Sequence, residues 1–400
     1  MHLSARASRI AVSPTMKVAA DAMKLKAQGV DIVDFGAGEP DFPTPPHVSA
    51  AAHRAIDSNF TKYTTNSGTE DLKRAIVDRL RVDNGVEYST SEVIATAGGK
   101  QALYNSILAL FGKGDEVITH MPGWPTLVEQ IKLADATPVI VRARPEDGFA
   151  LTADLLLNAV SLSTRGIIIN SPGNPTGALM AEAEMERVAR EAARRGIWVL
   201  LDLCYDRLVY DNVPHNIVGV FSRHHRDRTV LCGSASKTYA MTGWRCGWAV
   251  GRADVIAACN AIQSHSTSNV CSISQRAAEA ALRGPQDCVT EMLDEYKRRR
   301  DRLYEWLSVD PKIRLQKPAG AFYLFPDVSE YLSPDGIRTS SELATLLLGD
   351  ARVALTPGEA FDAPGFLRIS YATSMTELER GSKRILEFLA TRSNARAASI

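Results

Sequence analysis

The 400-residue sequence has no excess of either charge and no long apolar run. Lys and Arg total 46, as do Asp and Glu, so the formal net charge is zero. A chain with this balance lacks the electrostatic surface that binds nucleic acids or membranes, and we expect neither partner. No apolar run approaches the roughly 20 residues that cross a bilayer. With 45% hydrophobic and 23% charged residues, the composition is that of an ordinary globular protein.

Metal and redox motifs are also missing. No two of the six cysteines form a Cys-x-x-Cys pair, which argues against a zinc knuckle or a dithiol motif, so we expect no metal site. Several cysteines lie in apolar contexts such as VLCG and IAACNAI, which predicts buried thiols and a cytoplasmic location. The basic segment MHLSARASRIAVSPTMK has no apolar core, so it is not a secretory signal, and a transit peptide stays an alternative.

Short apolar, β-branched runs alternate with helical patterns along most of the chain. The sequence EVIATAGG at residues 92–99 predicts a strand and a turn, and residues 100–111 have apolar side chains at helical spacing. Further strands are predicted at DEVITHMP, RGIIINSPGNP, IWVLLDLCYD and RTVLCGSAS, with a helix at residues 181–195. This alternation predicts an α/β fold, a three-layer sandwich in which helices cover both faces of a mostly parallel central sheet.

The chain is long enough for two domains, and its pattern changes after about residue 287. A long charged helix, CVTEMLDEYKRRRDRLYEWLS, comes first, followed by short strand-like runs, a helix near residues 341–348 and a last helix from Met375. We predict a large domain at residues 47–288 and a smaller α+β domain at residues 289–400. Residues 1–46, which include the Gly/Pro-rich stretch GAGEPDFPTPP, are expected to pack with the smaller domain.

Five groups of glycine, polar or aromatic residues follow predicted strands. They are GGK at residues 98–100, MPGWP, NSPGNPTG, DLCYD and GSASK. Each group alone has an ordinary structural explanation, such as a turn, a helix cap or core packing. Because ligands collect at the carboxyl ends of the strands in a doubly wound sheet, the five groups together predict a binding site at one edge.

Some of these residues suit a phosphate group. Phosphate binds backbone N–H groups at a helix N-terminus, hydroxyl groups and arginine. The candidates are Gly98, Gly99, Lys100, Ser234, Ser236 and Arg245.

Other residues suit an aromatic aldehyde attached to that phosphate. Asp202 can keep a pyridinium nitrogen protonated, Tyr205 and Asn174 can bind a phenolate oxygen, and Trp124 can stack on the ring. Lys237 can supply the amine for the aldehyde carbon, provided that its pKa is depressed. The alternative for Lys237 is an ordinary surface charge.

The motifs also occur together in one known family. The chain resembles the fold-type I aminotransferases of class I and II, which use pyridoxal 5'-phosphate, in the branch of bacterial-type aspartate and prephenate aminotransferases. The resemblance runs from about residue 3 to about residue 389, and residues 234–247 carry the pattern SxSKxYxMTGWRxG. The motifs AGEPDF, KYTTNSG, GGKQAL, NSPGNPTG, PAGAFYLF and LRISYATS stand in the order of the family.

The resemblance implies a role for each predicted site residue. Lys237 would form a Schiff base with the cofactor and move the proton at the substrate Cα, while Asp202 would keep the ring nitrogen protonated. Arg368 would pair with the substrate α-carboxylate, close to the backbone of Gly38. Tyr63 would reach the phosphate of the other subunit, so a homodimer would share its active sites.

The implied reaction moves an amino group between an L-amino acid, most simply aspartate or glutamate, and a 2-oxo acid in ping-pong half-reactions. Lys100 is the candidate partner of the second substrate carboxylate, helped by hydroxyls of QSHSTSN, and Trp124 and Asn174 would border the substrate. Thr64 and Arg144 resemble residues of prephenate-accepting members, in which lysine stands at the position of Arg144. Transamination of prephenate, of aromatic amino acids or of alanine stays open.

The chain departs from the family pattern near the cofactor. Gly123 stands where a tyrosine is frequent, and Leu203, Cys204, Asp206 and Arg207 are unusual. We expect the small residue at position 123 to widen the mouth of the pocket. Two other function classes stay open: a fold-type I C–S lyase or synthase with the same cofactor, and a regulatory domain without catalysis. The intact set of predicted catalytic residues argues against the regulatory domain.

Overall fold

The computed structural model describes residues 4–11 and 14–397. The strands in these ranges are β1 (Val33–Asp34), β2 (Val93–Thr96), β3 (Glu116–Met121), β4 (Thr137–Arg142), β5 (Thr164–Asn170), β6 (Trp198–Asp202), β7 (Thr229–Ser234), β8 (Gly247–Val250), β9 (Tyr323–Leu324), β10 (Val353–Ala354), β11 (Thr356–Pro357) and β12 (Leu367–Ser370). The helices are α1 (Ala5–Arg9), α2 (Pro14–Ala27), α3 (Pro46–Asp57), α4 (Glu70–Asn84), α5 (Gly99–Leu110), α6 (Thr126–Leu133), α7 (Ala153–Leu157), α8 (Glu182–Arg195), α9 (Ile217–His225), α10 (Ala253–Ser264), α11 (Ser272–Arg283), α12 (Asp287–Leu307), α13 (Ser340–Gly349) and α14 (Met375–Ala397). No helix in the described ranges is long and apolar enough to cross a membrane.

The central sheet has seven strands in the order β2-β8-β7-β6-β5-β3-β4. The pairs from β4 to β7 are all parallel, and β8 runs antiparallel to both of its neighbours. The predicted α/β fold with a mostly parallel sheet is therefore confirmed. The sequence prediction lacks β8 and β4, and in the short apolar run of β4, Val139–Val141, only Val141 is buried, as expected for an edge strand.

Side chains alternate between the two faces of this sheet, and helices cover both. Ile168 and Leu200 pack on one face with Leu103 of α5, whereas Ile167 and Val199 pack on the other. The second face is covered by α4, α8, α9 and α11. Because both faces are buried, β5, β6 and β7 each contain a continuous apolar run, at residues 167–169, 198–201 and 230–232.

The C-terminal part has smaller sheets and a core of its own. Strands β11, β12 and β9 form an antiparallel sheet, and β1 pairs in parallel with β10 through Val33 and Val353. A separate apolar cluster joins Phe35 to Tyr296 of α12 and Ile369 of β12. The N-terminal strand thus lies against the C-terminal part of the chain. The exact domain boundaries, residues 46/47 and 288/289, stay a prediction.

The six cysteines are free thiols, but they are not all buried. Cys232, Cys246 and Cys259 are buried in the core, whereas Cys271, just before α11, is exposed. The expectation of buried thiols is therefore wrong for Cys271, which stands at the N-cap position of α11 without a side-chain hydrogen bond to the helix.

The turn that leads into α5 packs tightly against β8. A Cβ atom built on Gly247 would lie 2.5 Å from the carbonyl carbon of Gly98 and 2.6 Å from the nitrogen of Gly99. Since backbone atoms cannot move aside as the end of a flexible side chain can, we expect Gly247→Ala to lower the free energy of unfolding by about 1–3 kcal/mol. Gly243→Ala is the matched control, because its Cβ would meet no atom within 4 Å. Urea unfolding followed by circular dichroism measures both variants, and equal stability would contradict this close approach.

Candidate active site

A cavity of about 570 Å³ lies at the carboxyl ends of β5, β6 and β7. Asn170, Asp202 and Ser234, the last residues of these strands, line it. The structure brings twelve predicted site residues to this cavity: Gly38, Gly99, Lys100, Trp124, Asn174, Asp202, Tyr205, Ser234, Ser236, Lys237, Arg245 and Arg368. Gly98 lies just outside its lining, and Tyr63 lies elsewhere, with 90% of its surface exposed.

Lys237 reaches the cavity from the turn that follows β7. Its Nζ donates a hydrogen bond to the carbonyl oxygen of Gly38. Burial lowers the pKa of the Lys237 amine, and the positive charges of Arg368 and Arg245 lower it further. A lowered pKa increases the neutral fraction of the amine, which is the form that attacks a carbonyl carbon.

Asp202 is a buried carboxylate at the end of β6. Its Oδ1 accepts a hydrogen bond from the backbone nitrogen of Cys204 at 3.1 Å, and no described residue forms an ion pair with it. Burial raises the pKa of Asp202 to about 7, and the nearby Asp206 adds to the rise. A buried carboxylate that lacks a cation suits a ligand with a positive charge at this depth, such as a protonated ring nitrogen.

Tyr205 and Tyr323 form a pair of hydroxyls on one side of the cavity. Their oxygens are 2.8 Å apart. Burial raises the pKa of Tyr205 well above its usual value, so its hydroxyl stays protonated and can donate a hydrogen bond. Sequence reasoning does not place Tyr323 in the site, although the residue belongs to the motif PAGAFYLF.

Arg368 on β12 is a buried guanidinium with donors in the cavity. Its Nη1 donates to Oδ1 of Asn174 at 3.1 Å, and its Nη2 donates to the carbonyl oxygen of Gly36 at 2.9 Å. Its Nε has no hydrogen-bond partner in the structure, and no described carboxylate pairs with the group. The guanidinium lies 4.4 Å from the ring centre of Tyr323. A buried cation with neutral partners only is a site for an incoming carboxylate.

Hydrogen-bond donors gather where α5 begins. Gly98 has a φ of +85°, so the backbone favours glycine, and a Cβ there would lie 2.6 Å from Nη2 of Arg245 and displace that side chain. Arg245 is held by the carbonyl oxygens of Ala97 and Thr242, at 3.1 and 2.8 Å. Ser234 donates to Ser236 at 2.7 Å. Together with the free N–H groups of the helix N-terminus, these side chains can hold a phosphate.

Lys100 and Trp124 lie together on another side of the cavity. Nζ of Lys100 is 5.1 Å from the ring centre of Trp124. Burial lowers the pKa of Lys100, and the charge of Arg245 adds to this. The pair offers a flat apolar surface next to a cation.

Several residues that the sequence linked to substrate choice lie away from the cavity. Arg144 forms a surface ion pair with Asp147 at 2.7 Å, and Arg207 pairs with Asp83. Thr64 accepts a hydrogen bond from Gln275. Whether Thr64 reaches the cavity of another subunit stays a prediction, as it does for Tyr63.

Gly123 does not widen the mouth of the cavity, so that expectation is wrong. The residue is buried and does not line the cavity. A Cβ at position 123 would lie 2.2 Å from the carbonyl oxygen of His120. The glycine is thus explained by a close approach of the backbone rather than by ligand size.

Sequence reasoning missed residues that support the site through the backbone or through neighbours. Gly36 holds Arg368, and Asn170 contacts both the nitrogen of Asn174, at 3.1 Å, and the carbonyl oxygen of Asp202, at 3.3 Å. Glu39 accepts a hydrogen bond from Thr242 at 2.7 Å. The quoted motifs contain these residues, but their roles depend on contacts that the sequence does not display.

Comparisons with known proteins agree with this geometry. A family model described as aminotransferase class I and II matches residues 30–385. An aspartate aminotransferase of Bacillus sp. (strain YM-2) is 41% identical over 387 residues, which cover 97% of this chain and 99% of the relative. An aspartate/prephenate aminotransferase of Cereibacter sphaeroides is 40% identical over 394 residues, covering 97% and 96%. The solved structure of the Thermus thermophilus aspartate aminotransferase with maleate has a TM-score of 0.90, 36% identity and coverage of 96% and 98%.

The raised pKa of Asp202 makes a testable contribution to stability. The folded-state pKa of Asp202 is about 7, whereas its usual value is 3.8. Between these two pH values the folded protein keeps the proton on Asp202 and the unfolded protein releases it. The free energy of unfolding therefore falls as pH rises from 3.8 to 7. Asp202→Asn removes that loss. We therefore expect the stability of the variant relative to the wild type to increase between pH 5 and pH 8, by about 2–3 kcal/mol.

Urea unfolding at both pH values measures this difference, with protein from which any bound cofactor has been removed. Asp154→Asn, at a surface carboxylate that is 69% exposed, is the control and should show no such trend. A stability difference for Asp202→Asn that does not change with pH would contradict a raised pKa.

Proposed function

The chain belongs to the aminotransferases of class I and II, and we propose that it moves the amino group of aspartate or glutamate to a 2-oxo acid with pyridoxal 5'-phosphate as cofactor. The observation that carries the proposal is that Lys237, Asp202 and Arg368 line one cavity, with Asp202 and Arg368 buried and Lys237 half-buried. These are an amine with a lowered pKa, a carboxylate without a cation and a guanidinium without a carboxylate. Each lacks the partner that a bound cofactor and amino acid would bring.

The residues of the cavity fit this cofactor. The start of α5 with Ser234, Ser236 and Arg245 would hold the phosphate, and Asp202 would hold the ring nitrogen in its protonated form. Tyr205 and Asn174 would donate to the ring oxygen, and Trp124 would stack on the ring. When bound, pyridoxal 5'-phosphate supplies an aldehyde carbon and a cationic ring that stabilises negative charge at the substrate Cα.

Lys237 would act first as the covalent anchor and then as the base. Its lowered pKa increases the neutral, reactive fraction of the amine, and its contact with the carbonyl oxygen of Gly38 keeps Nζ next to Arg368. Arg368 would fix the substrate by its α-carboxylate. Nζ of Lys237 would then take the proton from the substrate Cα and return it during the transfer.

Two features support an acidic substrate. Lys100 is a cation that lines the cavity without taking part in the proposed α-carboxylate site, so it can pair with a second carboxylate. The relatives named aspartate aminotransferase point the same way, and the Thermus thermophilus structure holds maleate, a dicarboxylate. Prephenate is a second candidate acceptor, favoured by the name of the Cereibacter sphaeroides relative.

We also propose a homodimer that shares its active sites, in the cytoplasm. The support for the dimer is Tyr63, an aromatic residue with 90% of its surface exposed in the single chain. An aromatic side chain of this exposure is typical of a contact surface. The cytoplasmic location rests on the cysteine pattern alone.

Two variants separate the proposed carboxylate sites. Arg368→Met should lower kcat/KM by about 100-fold for every amino donor, since a hydrogen bond to a charged group contributes about 1.5–3 kcal/mol. Lys100→Met should lower kcat/KM by about tenfold for aspartate and glutamate and leave alanine and phenylalanine within about twofold. Steady-state kinetics with these four donors measures the difference.

Lys113→Met, at an exposed lysine outside the cavity, is the matched control and should behave as wild type. If Arg368→Met affected only acidic donors, the two proposed roles would be exchanged. If Lys100→Met affected all donors equally, the assignment of Lys100 to the second carboxylate would be wrong.

A further inference from the structure

Residues 36–44 form a short segment whose backbone completes the site around Arg368 and Lys237. The carbonyl oxygen of Gly36 accepts a hydrogen bond from Nη2 of Arg368 at 2.9 Å, and that of Gly38 accepts one from Nζ of Lys237. Both acceptors are backbone atoms, so their places depend on the path of the segment and not on a side-chain rotamer. Contacts that hold the backbone of residues 36–44 in place therefore also set the positions of the Arg368 guanidinium and the Lys237 amine.

The segment is tied to α12 by an ion pair outside the cavity. Nη1 of Arg299 lies 2.7 Å from Oδ1 of Asp41. The Arg299 side chain is buried, its Nε donates to Glu295 at 2.8 Å, and its guanidinium lies 4.9 Å from the ring centre of Phe42. Phe42 in turn packs edge-on against Tyr296 at 5.3 Å between ring centres. One face of α12 thus holds two successive residues of the segment.

The distance from this anchor to the cavity is short and the backbone between them is stiff. Asp41 is three residues from Gly38, and Pro40 lies between them. Proline fixes one backbone torsion between them and so reduces the ways in which the segment can absorb a displacement at Asp41. A shift of about 1 Å in a binding group can cost as much as 100-fold in rate.

We propose that Arg299 and Asp41 are positioning residues for the carboxylate site: their ion pair on α12 sets the places of the Gly36 and Gly38 carbonyls and so orients Arg368 and Lys237. Neither residue lines the cavity. The inference rests on the proposed function, because it takes Arg368 as the partner of the substrate α-carboxylate.

The test uses the holoenzyme and succinate, a dicarboxylate that has no amino group to transfer. Asp41→Asn keeps the size of the side chain and removes its charge, and Arg299→Lys keeps the charge and removes the planar fork. We expect both variants to bind succinate about tenfold more weakly by calorimetry, to raise KM for aspartate by a similar factor and to lower kcat, because Lys237 is displaced together with Arg368. Hydrogen exchange should be faster in peptides that cover residues 36–44.

Arg302→Met is the matched control on the same helix. Arg302 is 53% exposed and pairs with Glu305, so this variant should keep the succinate affinity and the exchange of wild type. A purely structural role for the pair predicts a lower melting temperature with succinate affinity unchanged, and that result for Asp41→Asn would overturn the inference. Faster exchange without weaker binding would overturn it too. Failure of the wild type itself to bind succinate would instead contradict the proposed function, and with it this inference.

Discussion

The structure depends on the burial of isolated charges in one cavity. Asp202 has no cation and Arg368 has no carboxylate among the described residues, although both are more than nine-tenths buried. Burial of an uncompensated charge is costly, and a bound ligand can offset this cost by supplying the missing partners. The lowered pKa of Lys237 has the same origin, since burial and the neighbouring arginines disfavour its charged form. The reactivity of the site and its cost in stability thus share one cause, and bound ligands would offset the cost in stability.

The fold provides this burial by joining two parts of the chain. The parallel strands β5, β6 and β7 end at the same edge and deliver the residues that face the cofactor. The C-terminal part and residues 36–44 supply Arg368 and the carbonyl groups that hold it. The carboxylate site therefore exists only when both parts are in place. Contacts within the second part, such as the Arg299–Asp41 ion pair, would then bear on substrate binding without touching the substrate.

The sequence predicts most of the central sheet and of the cavity, for physical reasons that also explain its failures. Strands β5 to β7 are buried on both faces and contain short apolar runs, whereas β4 has a similar run, Val139–Val141, on an exposed edge, and the prediction lacks it. Site residues next to strand ends are predictable from topology. The prediction that Gly123 widens the cavity fails because glycine is needed there for a close approach to the carbonyl oxygen of His120, which only the three-dimensional structure shows. The pairing of Asp41 with Arg299 spans 258 residues, a separation at which no local pattern operates.

The most direct measurement is of single half-reactions with a panel of L-amino acids, following the absorbance of the protein-bound cofactor. We expect the purified protein to take up pyridoxal 5'-phosphate with a visible band, aspartate and glutamate to bleach it, and oxaloacetate to restore it. Lys237→Ala should bind the cofactor without covalent attachment and should not turn over. Bleaching by aromatic or small neutral amino acids alone would contradict the acidic substrate and the role of Lys100. A protein that takes up no cofactor would contradict the assignment of Lys237 and the function built on it.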